Sequence, residues 1–227
     1  MNDISLKFKT IGSGAPIVFL HGNGESKEYF ENQFEDFSKR FTVYAIDTRG
    51  HGESPRGEKP FTIRQFAEDL NEFFIEQGLE KAHVLGFSDG ANIAMEFAAK
   101  YPEKVDKLVL NGGNLSPKGV KRSVQLPIEI GYKIASRFAK KSEGAKKNAE
   151  LLGLMVNEPD VTDEELKKIT AKTLVIAGTR DMIKASHTKE LASKINGAKL
   201  VLIKGNHFVA NKNPSEFNAV VLDFLLS

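Results

Sequence analysis

The sequence predicts an α/β fold, a doubly wound and mainly parallel sheet with a short helical insertion. Three observations carry this. Short runs rich in Val, Ile and Leu alternate with amphipathic stretches along most of the 227 residues, the order that a parallel sheet with crossover helices requires. The central runs are apolar at every position, as expected of strands covered on both faces. The alternation stops between about 115 and 169, where only helical patterns occur.

In chain order, strands are expected at 4–8, 17–20, 43–46, 83–86, 107–111, 173–177 and 199–203. Thr62-Ile63-Arg64-Gln65 reads as a capping box that opens a helix running to about Gln77. Another helix follows the fourth strand at once, with Ile93 and Phe97 at helical spacing. In the insertion, 125–141 sets Leu126, Ile130, Ile134 and Phe138 on one helix face; 145–156 forms a second helix, and Thr162-Asp163-Glu164-Glu165 opens a third. A short helix is expected at 188–195, stopped by Gly197. Asn213-Pro214-Ser215-Glu216 supplies an N-cap, a proline at the first helical position and an acidic first turn for the last helix. The core is therefore expected at 1–114 and 170–227, with a helical cap at 115–169.

Composition bounds the function. With 41% hydrophobic and 27% charged residues, disorder is disfavoured. No apolar stretch is long enough to cross a bilayer. The first eight residues lack a basic start followed by an apolar core, so no signal peptide is expected. The chain has no cysteine, which excludes disulfides and thiolate chemistry and fits a cytoplasmic location. Net charge is only +2, but 115–148 holds nine basic and two acidic residues. These basic residues lack interleaved aromatics, so no nucleic-acid partner is expected. No two histidines have metal-ligand spacing, so no metal is expected, and nothing calls for another cofactor.

Four motifs fall at strand ends. His21-Gly22-Asn23-Gly24 follows the second strand and Gly86-Phe87-Ser88-Asp89-Gly90 the fourth. Gly178-Thr179-Arg180-Asp181 follows the sixth and Gly205-Asn206-His207-Phe208 the last. Ligands of open α/β sheets sit beyond the carboxyl ends of strands. Ser88 stands on a strand-to-helix turn of G-x-S-x-G type, which holds its hydroxyl out at the top of the sheet. A serine hydroxyl is a poor nucleophile until a base takes its proton; an imidazole does this near neutral pH, and a carboxylate fixes the imidazole's tautomer.

With Asp47-Thr48-Arg49-Gly50-His51-Gly52-Glu53-Ser54 added, the chain resembles the α/β-hydrolase superfamily, in particular its small lidded esterase and lactonase branch. The likeness spans nearly the whole sequence, and the insertion falls where that branch carries its lid. The resemblance implies an α/β-hydrolase fold and a cofactor-free serine hydrolase of small carboxylic esters. Ser88 would be nucleophile, His207 base and Asp181 its partner, with the backbone N–H groups of Asn23 and Asp89 forming the oxyanion hole. Thioesterase, lactonase or aminoacyl-ester hydrolase activity would use the same triad, and a non-catalytic ligand-binding protein is the reading from another class. The expected partner is a small ester, with no stable membrane insertion.

Other residues receive quieter readings. His21 is expected under the oxyanion turn, His51 in its glycine-rich turn, His83 as a satisfied core residue and His187 at the start of a surface helix. Asp47 and Arg49 are expected to lock their turn as an ion pair. Asn114 sits where some relatives place the acid, a role its amide cannot fill. Asp89 departs from the neutral residue common after the serine. Its carboxylate either faces the pocket and favours an ammonium-bearing substrate, or turns aside to nearby backbone donors, the reading preferred. The apolar face of 125–141 is expected to pack over the site and set the acyl pocket.

Overall fold

The computed structural model describes residues 3–227; Met1 and Asn2, part of the segment read for a signal peptide, lie outside them. Among the described residues seven strands form one sheet: β1 Phe8–Ile11, β2 Ala15–Leu20, β3 Phe41–Ile46, β4 Ala82–Phe87, β5 Val105–Asn111, β6 Lys172–Gly178 and β7 Lys199–Ile203. The spatial order is β1-β3-β2-β4-β5-β6-β7. Only β1 runs antiparallel, on β3. The chain winds one way from β2 to β3 and the other way from β4 onward, so the carboxyl ends of β2 and β4 meet at the switch point.

Side chains alternate between the two faces with period 2. In β2, Val18 and Leu20 join one core; Ile17 and Phe19 join the other. The first core is covered by α2 (Ile63–Glu76) and α3 (Asp89–Lys100). The second is covered by α1 (Glu31–Ser38) and the C-terminal helix Pro214–Leu226. Between β5 and β6 come α4 (Arg122–Phe138), α5 (Glu143–Asn157) and α6 (Asp163–Leu166). Then follow α7 (Ala185–Lys194), α8 (Val209–Lys212) and α9, the C-terminal helix already named. No helix among the described residues is long and apolar enough to cross a membrane.

Four expectations change. The first strand is not 4–8. Ile4 and Leu6 are buried in the core, but the Lys7 N–H donates to Ser54 Oγ (2.8 Å) and its carbonyl accepts from the Asp47 N–H. This stretch packs on a loop, and strand pairing starts at Phe8. The Thr62 capping box is half made. Thr62 Oγ1 accepts from the Gln65 N–H, but the Gln65 side chain turns to Asp69, whereas Thr162 and Glu165 complete a reciprocal box. Asp47 and Arg49 do not pair with each other. Asp47 takes Lys27 at 2.7 Å, and Arg49, fully buried, holds Asp69 through Nε and Nη2 and also reaches Asp3.

The fourth concerns α4. Leu126, Ile130, Ile134 and Phe138 face outward, at 43%, 51%, 57% and 48% exposure, and do not cover the site. The inner side of α4 packs on α5 instead, with a glycine on each helix. Leu152 approaches Gly131, the Tyr132 ring lies against Gly153, and Gln125 donates to the Met155 carbonyl. Two backbones can approach closely there, which turns the bulky stripe away.

Candidate active site

The strand β4 ends at Phe87 and α3 begins at Asp89, leaving one residue for the turn. That residue, Ser88, has φ +53° and ψ −118°, the only positive φ outside glycine among the described residues. A Cβ on Gly86 would collide with the Gly90 carbonyl, and one on Gly90 with the Leu20 carbonyl. The glycines thus let α3 start directly against β4 and β2. The Ser88 N–H is held by the Asn111 carbonyl of β5 at 2.8 Å.

The loops after β6 and β7 bring two further groups to this turn. His207 Nε2 lies 3.0 Å from Ser88 Oγ, and His207 Nδ1 lies 2.7 Å from Asp181 Oδ1. Asp181 and His207 are both buried. Burial alone would raise the Asp181 carboxyl; the His207 hydrogen bond and charge, with the N–H groups of Ile183 and Gly178, outweigh it and hold the carboxyl below its ordinary range. Asp181 is therefore an anion placed to orient the imidazole.

On the other side stands the turn after β2. Asn23 follows Gly22, whose N–H donates to Glu25 Oε2 at 3.1 Å. Asp89 opens α3, so its N–H has no partner inside the helix. His21 ties this turn to the next loop: Nδ1 donates to the Gly22 carbonyl (2.7 Å), and Nε2 accepts from the Thr48 N–H (3.1 Å). Burial depresses this imidazole to about 4, so it stays neutral and serves as a strut. His51 bonds the Arg49 carbonyl in the same loop. His83 is buried in β4, with Nδ1 3.3 Å from Asp106 Oδ2 on the neighbouring strand β5.

Several groups carried no sequence signal. Glu25, half-buried beside the turn, is pushed up to about 7 by loss of solvent. The Asn23 side chain donates to the Leu151 carbonyl of α5 at 2.7 Å and so ties the turn to the insertion. His187, in the first turn of α7, is half-buried, and its Nε2 accepts the Leu115 N–H at 2.9 Å, where the insertion begins. Asn92 links Asp89 Oδ1 to Asn114 Oδ1, each at 3.2 Å. The Asp89 carboxyl did not turn to backbone donors. Its Oδ2 is buried without a hydrogen-bond partner, and burial pushes the group up to about 6 against the pull of the Asn23 and Asn92 amides. Only the i+3 spacing of Asp89 and Asn92 on one helix face could have hinted at this.

A cavity of about 310 Å³ borders the site, lined by Val124, Asp181, Met182, His207 and Phe208 among others. A larger one of about 460 Å³ lies between the Gly50–Phe61 loop and α5. Of these two, the smaller has Asp181 and His207 in its wall. The described residues contain no cluster of His, Asp and Glu suited to a metal ion.

Residues 15–132, just over half of the chain, match the family model described as alpha/beta hydrolase fold. An uncharacterized protein of Mycobacterium tuberculosis (strain ATCC 25618 / H37Rv) is 30% identical over 123 residues, 54% of this chain and 35% of its own length. The chain thus spans about a third of the length of the first curated relatives it matches. The serine hydrolase BPHL of Mus musculus is 28% identical over 252 residues, 99% of this chain and 84% of its own. The crystal structure of the enol-lactonase from Burkholderia xenovorans LB400 has a TM-score of 0.84, covering 100% of this chain and 98% of that one at 22% identity. That last likeness is one of fold.

Proposed function

The chain belongs to the alpha/beta hydrolase fold family, and from this premise we propose that it is a serine hydrolase that cleaves a small carboxylic ester through an acyl-enzyme on Ser88. The observation that carries the reading is the continuous chain of hydrogen bonds from Asp181 Oδ1 through His207 to Ser88 Oγ, at 2.7 and 3.0 Å. Similarity to a serine hydrolase across 99% of the chain supports it.

In the proposed reaction His207 Nε2 takes the Ser88 proton as Oγ attacks the ester carbonyl. The resulting oxyanion is met by the N–H groups of Asn23 and Asp89, the latter at the positive end of α3. The tetrahedral intermediate collapses, the alkoxide leaves with the proton from His207, and the acyl group stays on Oγ. Water then gives its proton to His207 and attacks the acyl carbon; the acid departs and Ser88 regains its proton. Asp181 remains an anion throughout and steadies the imidazolium. Helices α4–α6 serve as a lid, a role supported by the Asn23 tether to Leu151.

A second reading concerns substrate class. A carboxylate at Asp89, the residue directly after Ser88, would favour an ester bearing an ammonium group. Turnover of a panel of p-nitrophenyl esters by wild type and Ser88→Ala tests the first reading. The variant is expected to lose roughly 10⁴-fold or more in kcat, and turnover that survives it refutes the assignment. No turnover of any ester by wild type favours a ligand-binding protein. For the second, Asp89→Asn should erase a preference for aminoacyl over plain acyl esters; an unchanged ratio removes it.

A further inference from the structure

The exposed face of α4 is unlike an ordinary solvated helix face. Leu126, Ile130, Ile134 and Phe138, all more than two-fifths exposed, form a stripe about 18 Å long at 1.5 Å rise per residue. They account for four of the nine large exposed hydrophobic residues among the described ones. Beside them run Lys133, Arg137 and Lys140, at i, i+4 and i+7, also exposed. These three and Lys141 have no acidic partner among the described residues; Glu129, on the same helix, is taken by Arg122 at 2.6 Å.

We infer that this face docks on the surface of an anionic lipid bilayer. The stripe would sink into the boundary between headgroups and acyl chains. The basic side chains would reach up along its edge to lipid phosphates. Charge selects this occupant over a second copy of the chain. A two-fold contact puts the same patch on both sides, so it would bring two copies of the basic edge, Lys133, Arg137 and Lys140, into one interface at a cost in like-charge repulsion. With no helix long enough to span, the attachment is peripheral and weakened by salt. It stands independently of the reaction proposed for Ser88.

Sedimentation of the full chain with vesicles tests this, using phosphatidylcholine alone and phosphatidylcholine with roughly a quarter phosphatidylglycerol. The protein should pellet with the anionic vesicles at low salt, and with neither at high salt. Ile130→Ser/Ile134→Ser and, separately, Lys133→Glu/Arg137→Glu should each weaken partitioning by about tenfold or more. Both change only exposed side chains, so far-UV circular dichroism should match wild type. No pelleting at low salt overturns the inference, as does pelleting undiminished in the Ile double variant. Sedimentation velocity without lipid supplies a third refutation: a wild-type dimer that becomes monomeric in the Ile double variant means that a second copy covers the face.

Discussion

Ser88 keeps a backbone conformation that serine disfavours when free. Its positive φ is enforced by the Asn111 carbonyl and by the two glycine-permitted approaches around it. Such strain costs on the order of 1–3 kcal/mol. Ser88→Gly should therefore raise stability by about 1 kcal/mol, read from denaturant midpoints, while abolishing ester turnover; a less stable variant would mean that the turn is relaxed. Arg49 makes the opposite case. It is fully buried and held by Asp69. Removing the guanidinium strands a buried carboxylate, so Arg49→Met should cost about 3–5 kcal/mol in urea unfolding. Both residues belonged to motifs visible in the sequence, but the partners did not. Asp69 lies twenty positions from Arg49, and nothing in the loop D-T-R-G announces a partner on α2.

The strands show why some elements were legible and others were not. The strands β2, β4, β5 and β6 are continuous apolar runs whose only stable place is between two helical layers. The segment 4–8 alternates apolar and polar residues as a half-buried strand would, yet its polar backbone is satisfied by a loop, a choice that local sequence does not encode. In α4 the 3.6-residue period reveals an apolar stripe but not which side meets the protein. Gly131 and Gly153, which make room for Leu152 and Tyr132 between α4 and α5, decide that. Likewise the positions of Ser88, Asp181 and His207 beyond strand ends followed from the pattern. Glu25, Asn92 and His187 act through contacts that only the folded chain assembles. At this scale Asn23→Ala removes the tether to Leu151. If α5 is part of a lid, KM should rise several-fold with kcat little changed; unchanged kinetics would make the tether structural only.

The whole molecule should show a pH dependence of stability that traces to Glu25. Its carboxyl is raised from an ordinary 4.5 to about 7, chiefly by burial. Between those values the native state holds more protons at Glu25 than the unfolded chain does, so this group's contribution falls as pH rises. Allowing for its part-exposure, about 2 kcal/mol should be lost between pH 4.5 and 7. Glu25→Gln should remove that loss, so its stability relative to wild type should grow across the window; parallel profiles would contradict it. The assembly of three sheet-end loops into one reactive serine is tested most directly by intact-mass and peptide spectrometry after treatment with a fluorophosphonate. The expected result is one adduct per chain, on Ser88, absent in Ser88→Ala and slowed by orders of magnitude in His207→Ala. Adduct formation that persists in Ser88→Ala, or that is indifferent to His207, would contradict it.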